Sequence, residues 1–228
     1  MNALSSKPEF DAFARNYDSI LADAIPEALN EDAYFAEYKV ALMAERLREA
    51  VPARILDFGC GAGRSLPFLD AFFPQSELWG YDVSPASLEA AAARTPRATL
   101  FSQWPEPGEA KFDAIIAANV FHHIPPAQRA GELARCRAAL RPGGSMFLFE
   151  HNPYNPATRW VFERCPFDAD AKMFNLRTAL GLARQAGFAT EEHGYTLFFP
   201  RPLRALRGLE RRISWLPLGA QYYVQMWA

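Results

Sequence analysis

Apolar residues recur with two different periods along this chain. Between residues 6 and 50 they fall three and four apart: Phe10, Phe13, Tyr17 and Ile20/Leu21, then, beyond Pro26, Tyr34, Phe35, Tyr38, Leu42 and Leu47 as far as Pro52. That spacing predicts amphipathic helices, and Ser6-x-x-Glu9 has the form of a capping box at the start of the first. From residue 54 onward, short apolar runs alternate with helical stretches. Strands are predicted at Arg54–Phe58, Leu78–Tyr81, Ala98–Phe101, Phe112–Ala118 and Ser145–Phe149. Helices are predicted at Ser65–Phe73, from Ser84-Pro85 to Arg94, and at Pro126–Leu140. Ser84 is suited to an N-cap and Pro85 to a first helical turn. Arg141-Pro142-Gly143-Gly144 predicts a stop and a turn. Alternation of this kind implies a parallel sheet with helices on both faces.

The last third differs. Residues 151–170 are rich in Pro, Asn and aromatic residues and are too long for a simple connection. A helix is predicted at Leu176–Ala186, closed by Gly187, and two β-rich segments follow at Ala189–Phe199 and Gln221–Trp227. With no helical crossover between them, they are expected to form an antiparallel closing pair.

Composition narrows the class. The 228 residues suit one large domain, or one domain with a small lid. Half of them are apolar and 22% charged, which excludes a disordered chain. A net charge of -2 argues against a dedicated nucleic-acid binder. There is no apolar run long enough to span a bilayer and no visible signal peptide. The cysteines are Cys60, Cys136 and Cys165, without a paired spacing, so a cytoplasmic location is expected.

The most informative stretch is Ile55-Leu56-Asp57-Phe58-Gly59-Cys60-Gly61-Ala62-Gly63-Arg64, where a strand ends in spaced glycines and a helix opens. Such glycines let backbone turn tightly and approach a ligand. Asp82 follows at the end of the next strand, where a carboxylate can accept from both hydroxyls of a ribose. A nicotinamide fingerprint would place its third glycine at Arg64. Asp57 would also repel a pyrophosphate, whereas a cationic nucleoside without phosphate suits it.

At these residues the chain resembles the class I S-adenosylmethionine-dependent methyltransferases, in the small-molecule and quinone-pathway branch. The likeness starts at Asp57–Gly63 and Asp82. It continues through Phe112–Ile116, Asn119-Val120-Phe121-His122-His123-Ile124-Pro125 and Leu140-Arg141-Pro142-Gly143-Gly144, and Phe10-Asp11-x-x-Ala14-x-x-Tyr17-Asp18 is similar to the start of many members. The resemblance implies a Rossmann-like α/β three-layer sandwich. Its sheet would have seven strands, mostly parallel with the last antiparallel, under an N-terminal helical lid at residues 1–50. The methyltransferase domain would span 51–228, with 151–174 as a substrate-loop insertion. It implies S-adenosylmethionine as cofactor, with Asp57, Gly59, Cys60, Gly61 and Gly63 around the methionine portion and Asp82 on the ribose. Val83 would lie beside the adenine and Asn119 near the methionine. The family's acidic contact to the adenine is absent after strand three, where Gln103 and Trp104 are the substitutes.

Three residues are candidates for catalysis. His151, next to Glu150 at the end of strand five, lies where such sheets place ligands and could serve as a general base. His122 and Tyr17 could line the acceptor pocket. Cys60 suits a small loop filler better than a nucleophile. No metal is expected, since adjacent His122 and His123 do not easily share an ion and no third ligand is near them in sequence. Arg201, Arg204, Arg207, Arg211 and Arg212 interleave with Leu203, Leu206 and Leu209. That pattern suits either a solvated helix face or peripheral contact of 201–212 with an anionic membrane. The expected activity is methyl transfer to a small-molecule or lipid-like acceptor. The alternatives are a non-catalytic cofactor-binding or regulatory module and, further off, a nicotinamide-dependent oxidoreductase.

Overall fold

The computed structural model describes residues 32–104, 111–189 and 192–228. Tyr17 and most of the expected lid lie outside them. Seven strands form one sheet: β1 (Arg54–Phe58), β2 (Glu77–Tyr81), β3 (Thr99–Phe101), β4 (Phe112–Ala118), β5 (Leu140–His151), β6 (Glu192–Thr196) and β7 (Gln221–Trp227). Their order is β3-β2-β1-β4-β5-β7-β6. The first five pair in parallel, and β7 runs antiparallel to both β5 and β6.

Alternation along the central strands divides the core into two layers. Leu56, Ile115 and Leu148 face one side, with Leu133 and Cys136 of α4 (Arg129–Ala139) and Ala179 and Ala183 of α6 (Leu176–Gln185). Ile55, Ile116, Phe147 and Phe149 face the other. There they meet Val40 and Met43 of α1 (Asp32–Arg46), Leu66 and Leu69 of α2 (Leu66–Phe72) and Ala91 of α3 (Pro85–Arg94). Each buried Val, Leu, Ile, Phe or Met side chain among these contributes about 1.5–3 kcal/mol. The end of the expected lid therefore lies within the main layer, because Val40 and Met43 are fully buried against the sheet.

Several predicted boundaries shift for physical reasons. The stop at Arg141–Gly144 is a bulge inside β5: Phe112 pairs with Leu140, and Ala114 with Ser145. Gly143 adopts φ +78°, and a Cβ on Gly144 would lie 2.9 Å from the Arg141 carbonyl oxygen. Arg141 is tied to Asp113 at 2.7 Å, so the irregular backbone stays attached to the sheet. Helix α4 begins only at Arg129, after a turn in which the Gln128 N–H donates to the Pro125 carbonyl.

The basic segment is a 3₁₀ helix over Arg201–Leu209, followed by the short α7 (Glu210–Ile213). A 3₁₀ helix repeats every three residues, which matches the spacing of Leu203, Leu206 and Leu209, all exposed. Arg207 turns inward, 3.6 Å from the centre of the Tyr34 ring, and Arg211 pairs with Glu45. Beneath them the buried Glu210 carboxylate accepts from the amides of Leu197, Phe198 and Phe199. Among the described residues no helix is long and apolar enough to cross a membrane.

At the carboxyl end of β5, Asn152 fixes the chain. Its side-chain amide donates to the carbonyls of Pro217 and Gly219 at 3.1 and 2.8 Å, and its oxygen accepts from the Tyr154 amide at 3.0 Å. Asn152 is fully buried. Asn152→Ala strands two carbonyls and is expected to cost about 2–3 kcal/mol. Denaturant unfolding, read as a fall in midpoint at unchanged slope, checks this.

Candidate active site at the carboxyl edge of the sheet

The chain runs outward in opposite directions from β1 and β4, and at that switch point the loops after β1, β2, β4 and β5 meet. Leaving β1, the Gly59 and Cys60 amides both donate to the Tyr81 carbonyl, at 2.7 and 2.9 Å. The Asp82 carboxylate then holds two loops together. One oxygen accepts from the Gly61 amide at 2.8 Å, the other from the Ser84 amide at 2.9 Å.

The three glycines serve different ends. A Cβ on Gly59 would lie 2.5 Å from a Val120 methyl, and one on Gly63 would lie 2.8 Å from the Cα of Ala91 on α3. A Cβ on Gly61 would meet nothing within 4 Å. Gly59 and Gly63 therefore let elements approach, and Gly61 alone presents bare backbone to open space. The Cys60 side chain is buried, so the residue meets the loop through its backbone.

Two buried oxygens at this edge have no donor. One belongs to Asp57, the other to Asn119, which sits at φ +58° just past β4. Burial, and then the neighbouring Asp82 charge, push the Asp57 carboxyl up to about 7, against the pull of Lys39. An orphaned buried carboxylate oxygen beside an open glycine calls for a cationic donor. Val83 is exposed, as is Gln103. The Trp104 ring packs edge-on to Phe58 and Tyr81 with the Arg135 guanidinium 4.8 Å above it. It forms a wall, and among the described residues no ring stacks parallel on it.

The second half of the site is a histidine cluster. The buried Glu150 carboxylate accepts from the amides of Val120 and Phe121 at 3.1 and 2.7 Å with one oxygen, and meets His122 Nδ1 at 2.6 Å with the other. His122 Nε2 lies 3.3 Å from Asp168, and His123 Nε2 lies 3.4 Å from the same Asp168 oxygen. Burial opposes a charge on His122, but Glu150 and Asp168 outweigh it and hold the ring at about 9. His151, its ring 5.0 Å from His122, is driven down to about 4 by burial and by that charge. His123 falls to about 4 for the same two reasons.

His122 and His151 are thus brought together, and the glycine loop, Asp57, Asp82 and Asn119 gather beside them. Glu150, Lys39 and Asp168 are site residues for which sequence spacing gave no role. Asp168 arrives on a 3₁₀ turn over Pro166–Asp168, which places a third oxygen or nitrogen ligand beside the histidine pair where none was expected.

Comparison with known proteins agrees with this geometry. Residues 56–146 match the family model described as a methyltransferase domain. A trans-aconitate 2-methyltransferase of Methylobacterium nodulans is 36% identical over 106 residues, covering 44% of this chain and 39% of that protein. A ribosomal RNA small subunit methyltransferase C of Ectopseudomonas mendocina is 28% identical over 188 residues, covering 75% and 56%. The chain thus spans about 40% of the length of relatives such as the first. Among solved structures, human N-acetylserotonin methyltransferase in complex with S-adenosylmethionine superposes with a TM-score of 0.66 at 16% identity, over 99% of this chain and 60% of that one. A SAM-dependent methyltransferase of Archaeoglobus fulgidus gives 0.61 at 15%, over 83% and 94%. Residues 56–146 are thus similar to a methyltransferase domain, and the chain shares the fold of solved S-adenosylmethionine-dependent methyltransferases, one of them in complex with S-adenosylmethionine.

The glycine loop separates fold from binding. Gly63→Ala is expected to lower stability by about 2–4 kcal/mol, from the clash with α3 and the left-handed backbone. Gly61→Ala costs about 1–2 kcal/mol for its backbone alone, yet sets a methyl group in the ligand's path. Unfolding curves paired with cofactor titration test this: Gly61→Ala must lose the more binding and Gly63→Ala the more stability.

Proposed function

We propose that this protein transfers the methyl group of S-adenosylmethionine to a small-molecule acceptor held at the histidine-lined end of the site. The observation that carries the reading is the pair of donorless buried oxygens, on Asp57 and Asn119, beside the bare backbone of Gly61. The residues present fit the cofactor. Asp57 and Asn119 would receive its ammonium, Asp82 its ribose hydroxyls, and Val83, Gln103 and Trp104 would flank its base. When bound, the cofactor supplies an electrophilic methyl on a positively charged sulfur.

The chain's own work is alignment, exclusion of water and removal of a proton. His122 is held as the imidazolium and cannot accept a proton, so of the two histidines first considered His151 is the base. Its neutral ring binds protons weakly. That suffices if the acceptor is a hydroxyl, because an oxygen gaining a methyl becomes strongly acidic while the bond forms. Residues 151–174 would shape the acceptor's place, as long loops on a rigid scaffold often do. The naming of several relatives for trans-aconitate favours a small carboxylic acid, with Lys39 and Arg129 as the cations within the described core. Neither the nicotinamide alternative nor the non-catalytic one is favoured: Asp57 would face a pyrophosphate in the first, and the second leaves the neutral His151 without a use.

Titration calorimetry tests the cofactor. S-adenosylmethionine should bind and NAD should not, and Asp82→Ala should weaken binding by about 1.5–3 kcal/mol, the range for hydrogen bonds to a charged group. Binding should also depend on pH. Asp57 is neutral below about 7 and charged above it, so affinity for a cationic ligand must rise from pH 6 to pH 8. Asp57→Asn must flatten that rise; a rise that persists in the variant assigns it to another group. Once an acceptor is found, His151→Ala should lower turnover about 10²–10⁴-fold and leave the cofactor's dissociation constant unmoved.

A further inference from the structure

We propose that His122, His123 and Asp168 form a binding site for a zinc ion, placed at the acceptor end of the methyl-transfer site. The distances match. Zinc takes nitrogen and oxygen ligands at roughly 2.0–2.2 Å in a tetrahedral array, which sets neighbouring ligand atoms about 3.3–3.5 Å apart. His122 Nε2 lies 3.3 Å and His123 Nε2 3.4 Å from the one Asp168 oxygen. The three ligand atoms all lie within 4.8 Å of one another, so a tilt of one imidazole closes the third edge.

The surroundings are those of a prepared site. His122 Nδ1 is held by the Glu150 carboxylate at 2.6 Å, and a carboxylate behind a ligating histidine fixes the ring and sharpens its Nε2 as a donor. Glu150 is itself fastened by two amides, so His122 cannot turn. Two carboxylates, Glu150 and Asp168, flank the buried His122 ring, Asp168 also reaching the partly exposed His123, and a dication satisfies both. Binding releases the Nε2 proton of His122 to solvent. Three protein ligands leave one tetrahedral position open, and it would take an oxygen or sulfur atom of the acceptor. That last role rests on the methyl-transfer reading; the zinc site itself does not.

The test uses the whole protein, stripped with a chelator and titrated with zinc sulfate against a chromophoric zinc indicator. One zinc per chain is expected. His123→Ala and Asp168→Asn must abolish it, Glu150→Gln must weaken it about 10–100-fold, and His193→Ala, on exposed β6, must leave it unchanged. Cobalt substitution gives a second readout that needs no variant: the intense visible bands of a tetrahedral ion are expected. Failure of the stripped protein to take up zinc, uptake undiminished in the ligand variants, or the weak bands of octahedral cobalt would each overturn the site. Cofactor affinity, measured on the same stripped protein, distinguishes the two readings. Zinc bound without cofactor binding leaves the metal site and removes methyl transfer; cofactor bound without zinc does the reverse.

Discussion

Glu150 is the point on which the site depends. It is a buried carboxylate at the end of β5 that receives two backbone amides and a histidine from the loop after β4. An uncompensated charge in that position would be prohibitive, so those partners are fixed in number and direction. Through Val120 the same constraint reaches the glycine loop, whose Gly59 has room only for hydrogen where the Val120 methyls lie. Through His122 it reaches Asp168. One ionised side chain thus sets the position of groups from three loops, and neither half of the site can shift without disturbing it.

The two halves differ in charge. Around the glycine loop, Asp57 and Asp82 crowd together, with Lys39 the cation that acts on Asp57. Around His122 the ring offsets part of the charge on the acids Glu150 and Asp168, while His123 and His151 remain neutral. A cationic ligand is drawn to the first half. The second offers neutral nitrogen lone pairs. This division follows from burial, since each charge admitted into the low-dielectric edge of the sheet determines which neighbours can ionise.

Much of this was legible in the chain. Alternating runs of strand and helix gave the parallel part of the sheet, and the missing crossover before Gln221 gave the antiparallel pair. Asp57, Gly61, Asp82 and Asn119 could be singled out as candidates because they lie at or just past the ends of predicted strands, where position in sequence and position in space coincide. The stop at Arg141–Gly144 was misread because the turn residues of a bulge are those of a chain reversal, and only pairing across β4 separates the two. Helix α1 looked like part of a lid because an amphipathic stripe does not say which surface it covers. Asp168 was invisible for a different reason. It lies far along the chain from His122 in a loop without periodicity, and its carboxylate matters only after the fold has brought a 3₁₀ turn beneath two histidines.

The strand order carries a consequence for how the chain folds. β7 lies between β5 and β6, although both precede it. Among the described residues β6 pairs with β7 alone, so it cannot join the sheet until β7 has crossed between them. The left side, from β1 to β4, can grow by short-range steps of strand, helix and strand. The right side waits for contacts between residues some seventy positions apart, such as Glu150 with Tyr222. Loop closure over such distances is slow. During that interval the open edge of β5, which carries Glu150 and His151, is the part of the chain most exposed to mispairing.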